Sequence, residues 1–238
     1  SATAGTYEYT YTVAATANCP GDTEVVTITV EEAPTAGTPS DATVCNTESA
    51  FDLFGQLTGA DSSGTWTKTG GTGSGDLLSA GVVDFTSAVA GTYIYEYEIP
   101  ATATCPNATA SVTITVEEAP TAGTGTNATI CNTVSAFDLN AQLAGAESGA
   151  WTKTGGTGSG EDNTNIGTGE IDFTSATAGT YEYTYTVAAT ANCPGDTEVV
   201  TITVEEAPTA GTPSDATVCN TESAFDLFAQ LTGEDSGG

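Results

Sequence analysis

Residues 1–37 read SATAGTYEYTYTVAATANCPGDTEVVTITVEEAPTAG, and the same letters return at 175–211. An altered copy occupies 87–123. In the first run Tyr7, Tyr9, Tyr11 and Val13 alternate with Glu8, Thr10 and Thr12; in the second, Val26, Ile28 and Val30 alternate with Thr27 and Thr29. A period of two in aromatic and β-branched residues puts alternate side chains on opposite faces of a half-buried strand. A Cys-Pro step turns the chain between the runs, and Glu-Glu-Ala-Pro closes each copy. The stretch is therefore a strand pair, and the chain is a tandem array of the unit that owns it.

Ala33-Pro34, Ala119-Pro120 and Ala207-Pro208 mark the unit boundaries, 86 and 88 residues apart. Residues 1–54 equal residues 175–228, so two unit types alternate. Residues 1–32 read as the C-terminal half of a β-sandwich repeat, 33–118 and 119–206 as complete repeats, and 207–238 as the N-terminal half of a further one. An array that opens inside a repeat is expected to belong to a longer protein.

Unit 33–118 supplies strand signals at Ala42–Cys45, Gly64–Thr69, Val82–Phe85, Gly91–Ile99 and Ala110–Glu117. Phe51–Leu57 reads as a strand or irregular turn and Gly70–Gly75 as a glycine turn, with the length difference between units in the loop that follows. Short strands at this spacing predict an all-β fold of tandem antiparallel β-sandwich domains, immunoglobulin-like and arranged as a rod. Tyr93, at the corner Ala90–Tyr93, and Trp66 on an early strand suit that packing.

The chain carries 31 acidic residues against two lysines, with no Arg and no His, for a net charge of −29. Such a surface repels nucleic acid, whose binding needs Lys or Arg to displace counterions, and repels anionic membranes. No apolar run is long enough to insert into a membrane. The regular alternation argues against disorder, so the charge reads as a solvated, salt-tolerant exterior.

Without His there is no Ser-His or Cys-His nucleophile pair, and the recurring carboxylates fall on outward strand positions, so no catalytic residue is assigned. Gly70–Gly75 lacks the Lys-Ser/Thr and the helix of a phosphate loop. The pairs Glu31-Glu32, Glu117-Glu118 and Glu205-Glu206 stand just before each boundary and offer the oxygen ligands that calcium takes. No Asp-x-Asp loop accompanies them, and a charged strand end that opposes edge pairing is the preferred reading; no other cofactor is expected. The loop Glu161–Asn165 reads as surface, and the rows Thr10, Thr12, Thr27 and Thr29 as ordinary strand residues. Lys68 and Lys153 share one repeat position beside Trp, where an ion pair with a nearby carboxylate and a free surface Lys are equally open. Asn107 and Asn127 head N-glycosylation triplets.

TVCNTESAFDL, GTWT, AGTYEYTYTV, the Cys-Pro turn and VTITVEEAPTAG recur in fixed order. Together they resemble the tandem immunoglobulin-like or PKD-like repeats of giant secreted surface adhesins and filaments of the Bacteroidota, gliding-motility-associated and type IX secreted. The resemblance spans the whole chain. It implies an extracellular, cell-surface appendage that extends from the cell for attachment, with identical chains in a filament or bundle as partners. The alternatives are an adhesin module that binds cell-surface glycans through its loops, and a calcium-stiffened rod. The Asp-Thr and Asp-Ser steps at Asp22, Asp61 and Asp196 resemble O-glycan acceptors of that phylum.

Each unit holds one early cysteine (Cys45, Cys131, Cys219) and one in its last turn (Cys19, Cys105, Cys193), which fits a disulfide framework in an oxidising compartment. Pairing within units joins Cys45 to Cys105 and Cys131 to Cys193, leaving Cys19 and Cys219 to partners outside this segment. In strict immunoglobulin topology these turns lie at opposite ends of a sandwich, which favours Cys45 with Cys193 instead. Cys19 with Cys45 is a third possibility, and buried free thiols a fourth. The within-unit pairing is the expectation carried forward.

Overall fold

A computed structural model describes residues 2–235. The opening repeat half forms β1 (Gly5–Val13) and β2 (Asp22–Val30), an antiparallel hairpin with Gly5 opposite Val30 and Val13 opposite Asp22. Residues 33–118 follow as β3 (Thr38–Pro39), β4 (Ala42–Cys45), β5 (Phe51–Asp52), β6 (Leu57–Thr58), β7 (Thr65–Gly71), β8 (Leu77–Ser79), β9 (Val82–Asp84), β10 (Gly91–Ile99) and β11 (Ala108–Glu117). A four-stranded sheet in the order β4-β11-β10-β7 provides one layer of a sandwich, and the short pairings β3-β6 and β5-β9-β8 provide the other. The fold is all-β, and its only helical elements among the described residues are 3-10 turns such as Phe54–Gln56.

The core lies between the layers. Tyr93, Tyr95, Val112, Ile114, Leu53, Val83 and Phe85 are wholly inaccessible. Burying side chains of this size stabilises by about 1.5–3 kcal/mol each relative to exposure. Tyr rather than Phe occupies the inward positions of β10 because each hydroxyl finds a partner in a loop. Tyr93 Oη donates to the carbonyls of Val89 (2.6 Å) and Ser74 (2.9 Å), Tyr97 Oη donates to Asp61 O (2.6 Å), and Tyr95 Oη donates to Asp76 (2.7 Å). Tyr93 thereby makes the corner bond that its place after Ala-Gly-Thr suggested.

Two features depart from the sequence reading. β4 runs parallel to β11, with Ala42 opposite Ile114 and Cys45 opposite Glu117. Alternation sets which face is buried but not strand direction, so a parallel edge was invisible in it. Asp41 holds this edge, its Oδ1 accepting the Thr113 N–H at 2.8 Å. Second, Gly70–Gly75 is not simply a turn: β7 continues through Gly71, with a bulge that skips Thr69. Gly71 sits at φ +108°, where a Cβ would lie 2.2 Å from Thr92 O, and a Cβ on Gly73 would lie 2.1 Å from the Tyr93 ring. These glycines let the strand approach the tyrosine stack.

The second compact unit begins at Pro120, whereas the first ends at Ala119 but also takes in Ala191–Cys193. The second contains β12 (Thr124–Gly125), β13 (Ala128–Cys131), β14 (Phe137–Asp138), β15 (Leu143–Ala144), β16 (Ala150–Gly156), β17 (Glu170–Ile171), β18 (Gly179–Val187) and β19 (Asp196–Glu205). Its main sheet, β13-β19-β18-β16, repeats the order of the first, again with a parallel β13–β19 edge. Tyr181, Tyr183, Phe173, Leu139, Ile171 and Ile202 fill the core. The chain then continues through β20 (Thr212–Pro213) to β21 (Leu231–Thr232). The length difference between the units has two sources: Trp151 follows Cys131 by 20 residues where Trp66 follows Cys45 by 21, and Phe173 follows Glu161 by 12 where Phe85 follows Asp76 by nine.

Candidate functional site

The lysines are the natural starting point, because the chain has only two cations among its side chains. Lys68 lies on β7 and reaches under the glycine-rich loop, where Nζ meets Asp76 Oδ1 at 2.6 Å and donates to Gly73 O at 3.2 Å. Its ammonium stands 4.5 Å from the centre of the Tyr93 ring, a cation–π arrangement. Asp76 is 6% exposed at its side chain, and Tyr95 donates to its second oxygen. Burial pushes the Asp76 carboxyl up, but the hydrogen bonds from Lys68 and Tyr95 and the Lys68 charge outweigh it and hold the group below the ordinary carboxylate range. Burial, and then the neighbouring carboxylate, push the Tyr95 hydroxyl strongly up. The cluster is an ionised acid held by two protonated donors.

The second unit repeats the cluster with different letters. Lys153 pairs with Glu161 and lies 5.0 Å from the Tyr181 ring centre, while Asn163 Nδ2 donates to Glu161 at 2.9 Å. Tyr183 Oη reaches Asn163 Oδ1 at 3.3 Å in place of the acid itself. Burial raises the Glu161 carboxyl, and the Lys153 and Asn163 hydrogen bonds and the Lys153 charge bring it net below its ordinary value. Glu161, at 3% side-chain exposure, is thus turned inward, whereas Asp162, Thr164 and Asn165 of the same loop are exposed as read. Of the two possibilities for the lysines, both take the ion pair. The signal was present in the sequence: an acid follows each Lys by eight residues across the same Gly-rich segment.

The units differ at the Trp. In the first, Phe54, Ser62, Gly64, Trp66, Ala80 and Tyr97 line a hollow of about 210 Å³. Trp66 and Tyr97 meet at a tilt of 42° with ring centres 5.1 Å apart, and Phe54 meets Tyr97 edge-on at 5.7 Å. In the second, Asn140 replaces Phe54; its Oδ1 accepts from Trp151 Nε1 at 3.0 Å and its Nδ2 donates to Thr168 O at 2.9 Å. This ties the 3-10 turn Ile166–Thr168 to Trp151, which is 4% exposed. The extra loop residues therefore close in one unit what stays open in the other.

The cysteines do not pair within one sequence repeat. Cys45 is bonded to Cys193, with Cα atoms 4.9 Å apart, and Cys19, Cys105, Cys131 and Cys219 are free thiols. Cys45–Cys105 and Cys131–Cys193 are therefore corrected. The parallel β4–β11 edge explains why: it sets Cys45 beside Glu117 at the end of β11, while Cys105 lies at the β10–β11 turn, at the opposite end of that strand. Ala191–Cys193 belongs to the first unit, and Cys193 Sγ lies 3.8 Å from Glu117 O and 3.6 Å from Glu118 O. Asn192 Nδ2 donates to Glu117 Oε2 at 3.0 Å. Cys105 stands in the same way near the preceding pair, its Sγ 3.9 Å from Glu32 O, with Thr104 Oγ1 bonded to Glu31.

The other singled-out residues fall as follows. Glu31, Glu32, Glu118, Glu205 and Glu206 are exposed and Glu117 half-buried. Among the described residues no three His, Cys, Asp or Glu side chains converge as a metal-binding group. Asn127 is a structural cap, accepting the Thr201 N–H at 2.8 Å as Asp41 does for Thr113. Asp61 accepts the Thr35 N–H (2.9 Å) and Asp196 the Ala122 N–H (2.9 Å). No described helix is long and apolar enough to cross a membrane.

No protein-family model matches the chain, and no curated protein matches it. Among solved structures it is similar to human protocadherin-24 EC1-2, at 10% identity and a TM-score of 0.37, covering 72% of this chain and 100% of that one. It is similar to Drosophila N-cadherin EC1-4 at 13% identity and TM-score 0.31, covering 84% of this chain and 58% of that one. For Drosophila N-cadherin EC1-3 the identity is 16%, the TM-score 0.26, and the coverage 79% and 74%. At such scores these likenesses assign no function.

Proposed function

We propose that the chain is a structural repeat region of an extracellular filamentous appendage or adhesin, built from elongated tandem sandwiches and extending from the cell for attachment, as in the secreted Bacteroidota surface proteins it resembles. One observation carries this reading: the lysines and the inward tyrosine hydroxyls of each unit are consumed by its own frame. Both lysines are locked in internal ion pairs and all inward tyrosine hydroxyls are bonded to loops. What remains outside is a strongly acidic surface, suited to solubility and spacing. The Cys45–Cys193 bond agrees with an oxidising compartment outside the cytosol. Small-angle scattering tests the reading: an elongated particle is expected, and a compact globule overturns it.

The open hollow at Trp66 favours a second reading, a module that binds sugars through stacking on exposed aromatic edges. It occurs in one unit type only. Saturable binding on a glycan array that is lost with Trp66→Ala and kept with Trp151→Ala would establish it.

A further inference from the structure

The two complete repeats differ in length at two places, and both places lie at the Trp. Four residues separate Asp61 from Trp66, whereas three separate Glu147 from Trp151. Asp61 and Glu147 correspond, because their carbonyls accept from Tyr97 and Tyr185. The first unit therefore has one more residue in this loop, and Ser62 of the loop lines the hollow. The second unit has its extra residues in the loop that carries the turn Ile166–Thr168, which Asn140 ties to Trp151. One unit spends its additional length on the rim of the hollow, and the other on its closure.

The open unit leaves donors unused. Trp151 Nε1 donates to Asn140, but Phe54 at the matching position offers no acceptor, and among the described residues nothing accepts from Trp66 Nε1. The Ser62 hydroxyl is likewise without a partner among them. The rim is also strained. Ala80 lines the hollow and is the one described residue other than glycine at positive φ, +49°. Its counterpart is Thr168, since Gly81 O and Gly169 O accept the N–H groups of Leu53 and Leu139. Gly or Asn adopts a left-handed conformation more readily than Ala. A short methyl kept there at a conformational cost leaves the indole accessible, and strain of this kind collects at ligand sites.

We propose that this hollow binds one uncharged pyranose ring, which lies against Trp66 and Phe54 while a sugar oxygen, hydroxyl or acetamido, accepts the Trp66 Nε1 proton. The proposal rests on the sugar-binding reading above and gives it a ligand class and a specificity contact. The volume of about 210 Å³ is below the roughly 300–1,000 Å³ of sites for drug-sized ligands, so the hollow takes one ring and not a chain. The unused indole and hydroxyl donors call for oxygen acceptors, which an alkyl or ammonium ligand lacks. Charge excludes acidic sugars. Asp52 accepts the Phe54 N–H at 2.9 Å, and Asp61 precedes Ser62; both are exposed beside the lining residues in a chain of net charge −29.

The test is an NMR titration of the full chain carrying Trp151→Phe, in which Trp66 supplies the sole indole N–H signal. Methyl β-glucoside, methyl N-acetyl-β-glucosaminide and methyl β-glucuronide are the probes. At least one neutral glycoside is expected to shift the signal saturably, and the glucuronide to bind at least about tenfold more weakly at low salt. Phe54→Asn places in the first unit the acceptor that the second already uses; it is expected to keep the fold and abolish the sugar-dependent shift. Trp66→Phe keeps an aromatic plate without a donor. Read by saturation transfer to the glycoside, it is expected to weaken binding roughly tenfold, the worth of one hydrogen bond. Neutral glycosides that bind equally well to both variants would overturn this proposal and leave the sugar-binding reading standing. A glucuronide that binds as tightly as they do, or a shift produced by tetramethylammonium alone, would do the same. No shift with either neutral glycoside also overturns it, and the glycan array then decides the broader reading by itself.

Discussion

Replacing Lys68 by Ala isolates the polar cluster beneath the glycine-rich loop. The substitution leaves Asp76, 6% exposed, with the Tyr95 hydroxyl but without its counter-ion, and removes the cation from the Tyr93 ring. Stripping one partner from a buried pair costs about 3–5 kcal/mol, and the 30% exposure of Lys68 reduces this, so a loss of about 2–3 kcal/mol is expected. In a unit of this size that corresponds to a fall in melting temperature of about 8–24 °C. Urea unfolding in a Trp151→Phe background reads it cleanly, because Trp66 is then the sole indole. A double-mutant cycle with Asp76→Ala should return a coupling of about 1–3 kcal/mol. The acid limb gives a second readout. The folded Asp76 carboxyl is depressed, so its contribution is present above the ordinary carboxylate value and is lost as pH falls through the lower, folded value. In Lys68→Ala the influence of Lys68 disappears while burial remains, so acid destabilisation should begin at higher pH. A loss under about 0.5 kcal/mol, or additivity in the cycle, would refute the reasoning.

Tyr95→Phe deletes the 2.7 Å bond to Asp76 and should destabilise the first unit by about 1.5–3 kcal/mol in the same urea assay, as expected for a hydrogen bond to a charged group. Gly73→Ala drives a methyl into the Tyr93 ring and should cost about 1–3 kcal/mol, whereas Gly59→Ala, with no heavy atom near its added Cβ, should lose only the smaller penalty of its positive φ. Cys193→Ser opens a link across 148 residues and should lower the chemical-denaturation midpoint by an amount equivalent to up to about 5 kcal/mol in the chain-entropy model. Chelator should leave the melting temperature unchanged if the Glu pairs act only as charged strand ends, and a downward shift would establish a bound cation there.

The sequence disclosed what periodicity controls. Alternation around Tyr93 and Val112 located both long strands, and β10 runs over Gly91–Ile99 as read. It did not disclose direction or depth. The parallel placement of β4 depends on a pairing between residues about 70 apart, with Asp41 as the local clue. The disulfide followed that placement, so an assignment based on the habits of independent modules missed it. The acid of the second cluster was hidden because Glu161 opens a polar run, EDNTN, whose composition is that of a surface loop. Only comparison with Lys68 and Asp76 at the same eight-residue spacing reveals its role.

The destination of the tyrosine hydroxyls bears on how such an array can change. Tyr93 and Tyr181 bond main-chain carbonyls at Val89 and Ser74, and at Thr177 and Ser159; Tyr97 and Tyr185 bond those of Asp61 and Glu147. A carbonyl is supplied by every amino acid, so the frame imposes no identity on these loop positions, and Val can stand for Thr or Asp for Glu. Tyr95 and Tyr183 instead bond the side chains of Asp76 and Asn163, and there the letters and the loop length changed together. Substitutions can therefore drift independently at the two main-chain contacts, while the third must be exchanged as a block with its loop. Recombination between repeats moves sequence in such blocks, which makes that loop the cassette through which an array of this kind would acquire new surfaces without losing its fold.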